Sequence, residues 1–266
     1  MRENTKNRPT GEEKKRRTKP YPIVAIGASA GGLEAVVELL SHLPSRTGMA
    51  YIYIQHLDPT HESKMVPILS KVTKMKVLEA KHLMRVEPDQ VVVIPPNKDM
   101  TIVDSVVTLN PRPAKPAIHM PIDKLFASLA DKHREGAIGI ILSGSASDGT
   151  FGLKAIKTAG GLTFAQDQTA KFQSMPRSAI AEGVVDMVLS PKEIAEELAR
   201  ISSKADIFQA AMQESEDEVT AGMNEDMGPI LQQVKKNTGV DFTHYKVNTI
   251  RRRIIRRMLL FKLDTL

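Results

Sequence analysis

The stretch "VAIGASAGGLEAV", Val24 to Val36, decides the fold of this chain. An apolar run ends in a turn of small residues, and Leu33, Val36, Val37, Leu40 and Leu43 then recur at helical spacing. The pattern predicts strand, tight turn and helix. The turn "GASAGG" can cradle a phosphate, or it can hold Ser29 exposed for chemistry, and both readings need the same local structure.

Outward from this unit, short β-rich runs alternate with helical periodicity. "MAYIYIQ" reads as the second strand, followed by a helix around residues 62–72 interrupted by Pro67, the apolar run "VVVIPP" and a hairpin at 101–109. A helix from Ile122 carries Leu125, Phe126, Leu129 and Ala130 on one face, and "AIGIILSG" has the unbroken apolar character of a central strand covered on both faces. There follow a helix ending at Gly160-Gly161, the strand "LTFAQ", a short helix after Met175-Pro176 and the strand "VVDMVLS". The last helix of the series opens on Ser190 as N-cap, with Pro191 at its first position and Glu193 completing a capping box. Alternation over residues 21–203 predicts an α/β fold: a doubly wound, mostly parallel sheet in a Rossmann-like three-layer sandwich. Ligands in such folds gather at the carboxyl ends of the strands, so the loops there hold the candidates.

The ends differ in character. Residues 1–20 carry eight Lys/Arg against three acids with little apolar content, and read as a disordered basic tail. Residues 204–228 include "QESEDEVTAGMNED", with six acids and no base, and read as an acidic linker. Residues 229–266 read as the incomplete start of a helical domain, with Val247, Ile250, Ile254, Met258 and Phe261 on one stripe and arginines elsewhere. The net charge of +6 comes from the two ends, since residues 235–266 carry nine bases against two acids. A mildly acidic middle argues against a nucleic-acid-binding core. The absence of cysteine excludes disulfides and thiolate chemistry, and neither a signal peptide nor an 18-residue apolar run is present, so a cytoplasmic protein without membrane insertion is expected.

Which chemistry the turn serves depends on its neighbours. A dinucleotide fingerprint wants glycine where Ser29 stands and an acid at the end of the second strand, where His56 stands with Asp58 only beyond it. No Gly-Lys-Ser/Thr follows for a phosphate loop. Gly27 to Gly31 fit G-x-S-x-G, a nucleophile elbow, which means catalysis only with a base, an orienting acid and an oxyanion donor nearby. His42 suits a helix C-terminus, and His61, His82, His133 and His244 lie in polar surroundings. His56 directly follows the second strand and reads equally as a loop residue or as the base; His119, in the proline-rich loop "PRPAKPAIHMPID", is a substrate-side candidate. Asp148 in "IILSGSASDGTFG" reads as an N-cap of the next helix or as the carboxylate that orients an imidazole. Three strand ends thereby supply a serine, a histidine and an aspartate to one edge.

"IGASAGG", "QHLDP", "VVVIPPNKDM", "HMPIDKLF", "GIILSGSASDG" and "FAQDQ...SMPRSAI" come in the order seen in the chemotaxis receptor methylesterases, and over residues 22–200 the chain resembles that CheB family. The resemblance implies hydrolysis of glutamate γ-methyl esters on the cytoplasmic helices of chemoreceptors, and deamidation of receptor glutamines, by a triad falling on Ser29, His56 and Asp148. It implies an oxyanion site from backbone N–H groups at Ala30 and Gly31 and from the loop at Ser145. The family commonly has threonine at Ala30 and methionine at Ser145. It needs no cofactor or metal. It usually carries a phospho-receiver domain in front, which 20 tail residues cannot form, so control by aspartyl phosphorylation within the chain is not expected. "TGVDFTHYKVNTIRRRIIRRML" resembles the start of the chemotaxis methyltransferase, which implies a methylesterase-methyltransferase fusion with contact between the two parts. The alternative is a catalytically idle scaffold or regulatory module of such a fusion.

Overall fold

The computed structural model describes residues 21–56, 63–112, 119–204, 224–242 and 245–263. The expected tail at 1–20 and most of the acidic linker lie outside the described residues. Nine strands and eight α-helices are described. They are β1 Ile23–Ala28, α1 Gly32–His42, β2 Ala50–Gln55, α2 Met65–Leu69, β3 Lys76–Glu79, β4 Gln90–Val93, β5 Lys98–Val103, β6 Val106–Pro111 and α3 Pro121–His133. After them come β7 Ala137–Ile141, α4 Thr150–Thr158, β8 Leu162–Gln166, α5 Ser174–Ala181, β9 Met187–Leu189, α6 Pro191–Ser203, α7 Asn224–Thr238 and α8 Val247–Phe261.

Seven strands form one parallel sheet in the order β3-β4-β2-β1-β7-β8-β9, and β5 and β6 form a separate antiparallel hairpin. Strand alternation sorts β1 between two cores. Val24, Ile26 and Ala28 face Leu39 and Leu40 of α1 and Ile194 and Leu198 of α6. Ile23 and Ala25 face the opposite layer, with Ile122 and Phe126 of α3 and Leu153 and Ile156 of α4. The sheet order reverses around β1 and β7, the place where a doubly wound fold opens a crevice at its carboxyl edge.

Several elements differ from the sequence expectation. The helix at 62–72 is only five residues, because Pro67 lacks the N–H to extend it and the chain turns at Ser70. The edge strand β3, with an exposed residue at each end, shows no periodicity and was not anticipated. The hairpin is longer than 101–109, turning on Asp104 and Ser105 at φ 50° and 64°, the two left-handed positions of a type I′ turn. Helix α5 starts at Ser174, so Met175 and Pro176 stand inside its first turn, where proline is tolerated. The capping box of α6 forms as expected: Ser190 Oγ accepts from Glu193 N at 3.3 Å, and Glu193 Oε2 accepts from Ser190 N at 2.9 Å.

Helix α7 begins at Asn224 and runs through Gly228-Pro229, where the helical segment was expected to open. A proline so near a helix N-terminus removes a single intrahelical hydrogen bond. In α8 the buried residues are Arg251, Ile255, Met258 and Leu259, whereas Phe261 is exposed, so the buried face is rotated from the expected stripe. This rotation seats α8 on the amino edge of the sheet. Ile255 and Leu259 join the core beside α6, Arg256 reaches Asp186 at 2.5 Å and donates from Nε to Gly161 O at 3.0 Å, and Arg252 lies 3.3 Å from Glu135. No described helix is long and apolar enough to cross a membrane.

Candidate active site

Ser29 follows the last residue of β1 and is nearly buried. Its backbone is held from two neighbouring strands: its N–H donates to Ser143 O at 3.0 Å beyond β7, and its carbonyl accepts from Gln55 Nε2 at 3.2 Å at the end of β2. Gln55 is oriented by Tyr53, whose hydroxyl donates to Gln55 Oε1 at 2.5 Å. Burial, and then the charge of Glu34, push the Tyr53 hydroxyl far above its ordinary range, so it remains a neutral donor.

The glycines flanking Ser29 serve clearance. Gly31 takes a left-handed φ of 70°, and a Cβ there would stand 2.7 Å from Ser143 Oγ. Gly144 lies so close to the turn that a Cβ on it would meet Met175 Sδ at 2.1 Å and Ser29 Cβ at 3.0 Å. A side chain at Gly31 would be strained by the left-handed backbone, and one at Gly144 would require Met175 to move.

His56 is the first residue past β2, with its N–H donating to Ala28 O at 3.3 Å. Its Nδ1 lies 3.2 Å from Ser29 Oγ and its Nε2 lies 2.8 Å from Asp148 Oδ2. The carboxylate fixes the proton on Nε2, which leaves Nδ1 as the acceptor for the serine hydroxyl. Asp148 is 1% exposed, whereas the His56 side chain is 30% exposed, so the reacting end opens to solvent and the orienting end does not.

Asp148 also caps a helix, though not the one that follows it. Its Oδ2 accepts from Ile122 N at 3.0 Å and its Oδ1 from Asp123 N at 2.9 Å, at the start of α3. Helix α3 has no side-chain cap from its own N-cap residue and has Pro121 in its first turn. Asp123 reciprocates by accepting from Gly152 N of α4 at 2.7 Å. Burial, and then the charge of Asp148, raise the Asp123 carboxyl above its ordinary range, against the pull of the α4 amides. The two helices therefore exchange aspartate caps, and one of those aspartates also holds the histidine.

The other expected residues are placed differently. His119 Nε2 donates to Asp99 Oδ1 at 2.6 Å, and Lys124 Nζ donates to Asp99 Oδ2 at 2.8 Å. Burial opposes the Asp99 charge, but the hydrogen bonds and charges of Lys124 and His119 outweigh it and hold the carboxyl below its ordinary range. His119 and His56 line one groove of about 390 Å³ together with Gln55, Asn97, Lys98 and Arg112. Ala30 offers its carbonyl to Ser143 Oγ at 2.8 Å, and Gly31 is the N-cap of α1. Ser145 is exposed, and no hydrogen bond joins it to the turn.

Sequence reasoning missed Ser143, which is fully buried two residues before Ser145. Its Oγ also accepts from Phe172 N at 3.0 Å, and its N–H donates to Gln166 Oε1 at 2.9 Å. The available signal was a pair of glutamines at the ends of β2 and β8, polar residues on otherwise apolar strands. Among the described residues no cluster of His, Asp or Glu could hold a metal ion.

Comparison with known proteins identifies the family. Residues 24–198 match the family model for CheB methylesterase, and residues 225–266 match that for CheR methyltransferase, all-alpha domain. A protein-glutamate methylesterase/protein-glutamine glutaminase of Photorhabdus laumondii is 35% identical over 187 residues, 68% of this chain and 53% of that protein. The chain thus spans about half the length of that relative. A relative in Leptospira interrogans, whose name gives the same two activities, is 36% identical over 183 residues, 68% of this chain and 95% of its own. The crystal structure of the Thermotoga maritima CheB methylesterase catalytic domain is 27% identical, with a TM-score of 0.63, covering 68% of this chain and 99% of that one. Matched over residues 24–198 and built on the same parallel sheet, the chain belongs to the CheB methylesterase family.

Proposed function

We propose that the chain is a serine hydrolase that removes methyl groups from glutamate γ-methyl esters on the cytoplasmic helices of chemoreceptors, and that it deamidates glutamine at equivalent positions. Residues 21–203 serve as the catalytic domain, most of residues 204–228, up to the start of α7 at Asn224, as a linker, and α7 with the residues that follow to 266 as the start of a methyltransferase-like helical domain. The observation that carries the reading is the continuous path from Ser29 Oγ to His56 Nδ1 at 3.2 Å and from His56 Nε2 to Asp148 at 2.8 Å.

His56 Nδ1 takes the Ser29 proton as Oγ attacks the ester carbonyl, and Asp148 stabilises the imidazolium through the Nε2 proton. Backbone N–H groups at the start of α1, around Ala30 and Gly31, receive the oxyanion, which the positive end of that helix favours. His56 then protonates the departing methanol, and an acyl-enzyme forms on Ser29. Water, deprotonated by the same imidazole, releases the glutamate carboxylate. With glutamine as substrate the same steps release ammonia.

The test is methanol release from methylated receptor fragments by the wild type and by Ser29→Ala. Release that persists in Ser29→Ala would sink the mechanism. Tight binding by the wild type with no release would favour the scaffold reading.

A further inference from the structure

Two cations line the groove beside the reacting trio. Lys98 opens β5 and Arg112 follows β6, so the hairpin presents both at the groove it shares with His56. Both are exposed, and among the described residues neither forms an ion pair. Asp99, the nearby carboxylate, is already engaged at 2.6 Å by His119 and at 2.8 Å by Lys124, so it does not neutralise them. The N-terminus of α3, at Pro121 on the groove wall, adds a field of the same sign.

The other side of Ser29 has a different surface. Phe172, in the loop after β8, is 43% exposed, and its ring lies 3.1 Å from where a Cβ on Gly31 would stand. Its backbone is fixed by Ser143 Oγ at 3.0 Å and by Gly144 N, which donates to Phe172 O at 2.9 Å. An exposed ring on a tethered loop is a preformed apolar contact.

The sheet order fixes the spacing between these features. Across β4-β2-β1-β7-β8, the strand that delivers Ser29 stands two positions from the strand beside the basic groove and two from the strand before Phe172. Neighbouring strands lie about 4.8 Å apart, so the β4 wall of the groove is about 10 Å away, close to two turns of α-helix, whereas the loop after β8 folds back and brings the Phe172 ring against Gly31, about one turn from Ser29.

We propose that Lys98 and Arg112 form a subsite for carboxylates lying one to two turns from the esterified glutamate on a helical substrate, with Phe172 taking an apolar side chain about one turn to the other side. The substrate class is an acidic, amphipathic helix laid across the strand ends. This rests on the hydrolase reading above and adds to it the neighbours that the site recognises.

Peptides of about four helical turns, each with one central γ-methyl glutamate, test it when the positions about four and seven residues to either side carry Glu or Gln. For the wild type, glutamates on one side lower KM by about three- to tenfold at low salt, the scale of two exposed ion pairs, and the preference fades as salt rises. In Lys98→Gln/Arg112→Gln the same peptides become indistinguishable. Phe172→Ala raises KM only for peptides with an apolar residue on the opposite side. Equal KM for Glu and Gln flanks in the wild type, or a preference that survives in the double variant, overturns the proposal. The same peptides bound to Ser29→Ala, followed by fluorescence anisotropy, give the comparison without turnover. If no peptide releases methanol but the Glu preference in binding holds and needs Lys98 and Arg112, the hydrolase reading fails and the subsite stands.

Discussion

The two edges of the parallel sheet use polar side chains in opposite ways. At the carboxyl edge Ser29, Gln55, His56, Ser143, Asp148 and Gln166 bond to one another and to the turns they stand on, and the His56 ring and its groove stay open. At the amino edge Glu135, the Gly161 carbonyl and Asp186 are all bound by arginines from α8, more than sixty residues further along the chain. One edge is ordered so that a hydroxyl remains available, and the other so that its acids are paired with α8. Local bonding orders the first edge from within, whereas the second is ordered by bonding to a distant helix.

The largest effect expected from breaking the comparison is at Ser29. Ser29→Ala should lower kcat for methanol release by more than about 10⁴-fold, because the remaining groups have no nucleophile to serve. Its thermal midpoint should change little, since the Ser29 contacts that hold the turn are made by its backbone. Asp148→Ala should fail on both counts: a loss of about 10³–10⁴-fold in kcat from the unanchored imidazole, and about 2 kcal/mol of stability from the uncapped start of α3. Denaturant unfolding beside the turnover assay separates the two variants. A stable Asp148→Ala would contradict the capping role.

At the amino edge, Arg256→Ala should cost about 1–3 kcal/mol, because Asp186 is buried and keeps only Lys157 at 3.2 Å and its bonds to Thr163. Hydrogen exchange in α8 should accelerate, while kcat stays within about twofold because the edge is remote from Ser29. A large fall in kcat would show that the two edges are coupled. The smallest effect is expected at Asp99. Its depressed carboxyl stabilises the fold above the ordinary aspartate value of 3.8, and the contribution is lost as pH falls through the lower folded value. Asp99→Asn should therefore melt slightly below wild type at pH 7, by less than about 1 kcal/mol, and the gap should close below pH 3.8. Melting curves across that range decide it, and a gap that widens in acid would reverse the assignment.

The same contrast governs what the sequence revealed. The meeting of Ser29, His56 and Asp148 was legible because the first two stand just past strand ends and the third in the loop after β7, and a parallel sheet brings such loops to one edge. The double duty of Asp148 was not, because the amides it caps lie 25 and 26 residues earlier in the chain. Ser143 and Ser145 look alike in "LSGS", and only the loop geometry turns the first inward. The short edge strand β3 carries too few buried residues to show a period. For α8, apolar spacing alone chose the wrong face, since Arg252 and Arg256 turn toward acceptors that no local pattern reveals.

The aspartate exchanged between α3 and α4 bears on how descendants of this protein are to be judged. A lineage that abandoned the chemistry would release Ser29 and His56 to drift, yet selection for folding alone would keep Asp148 in place over the amides of Ile122 and Asp123. Persistence of that aspartate is a record of architecture, and on the proposed mechanism the serine is the residue whose loss would date the end of turnover.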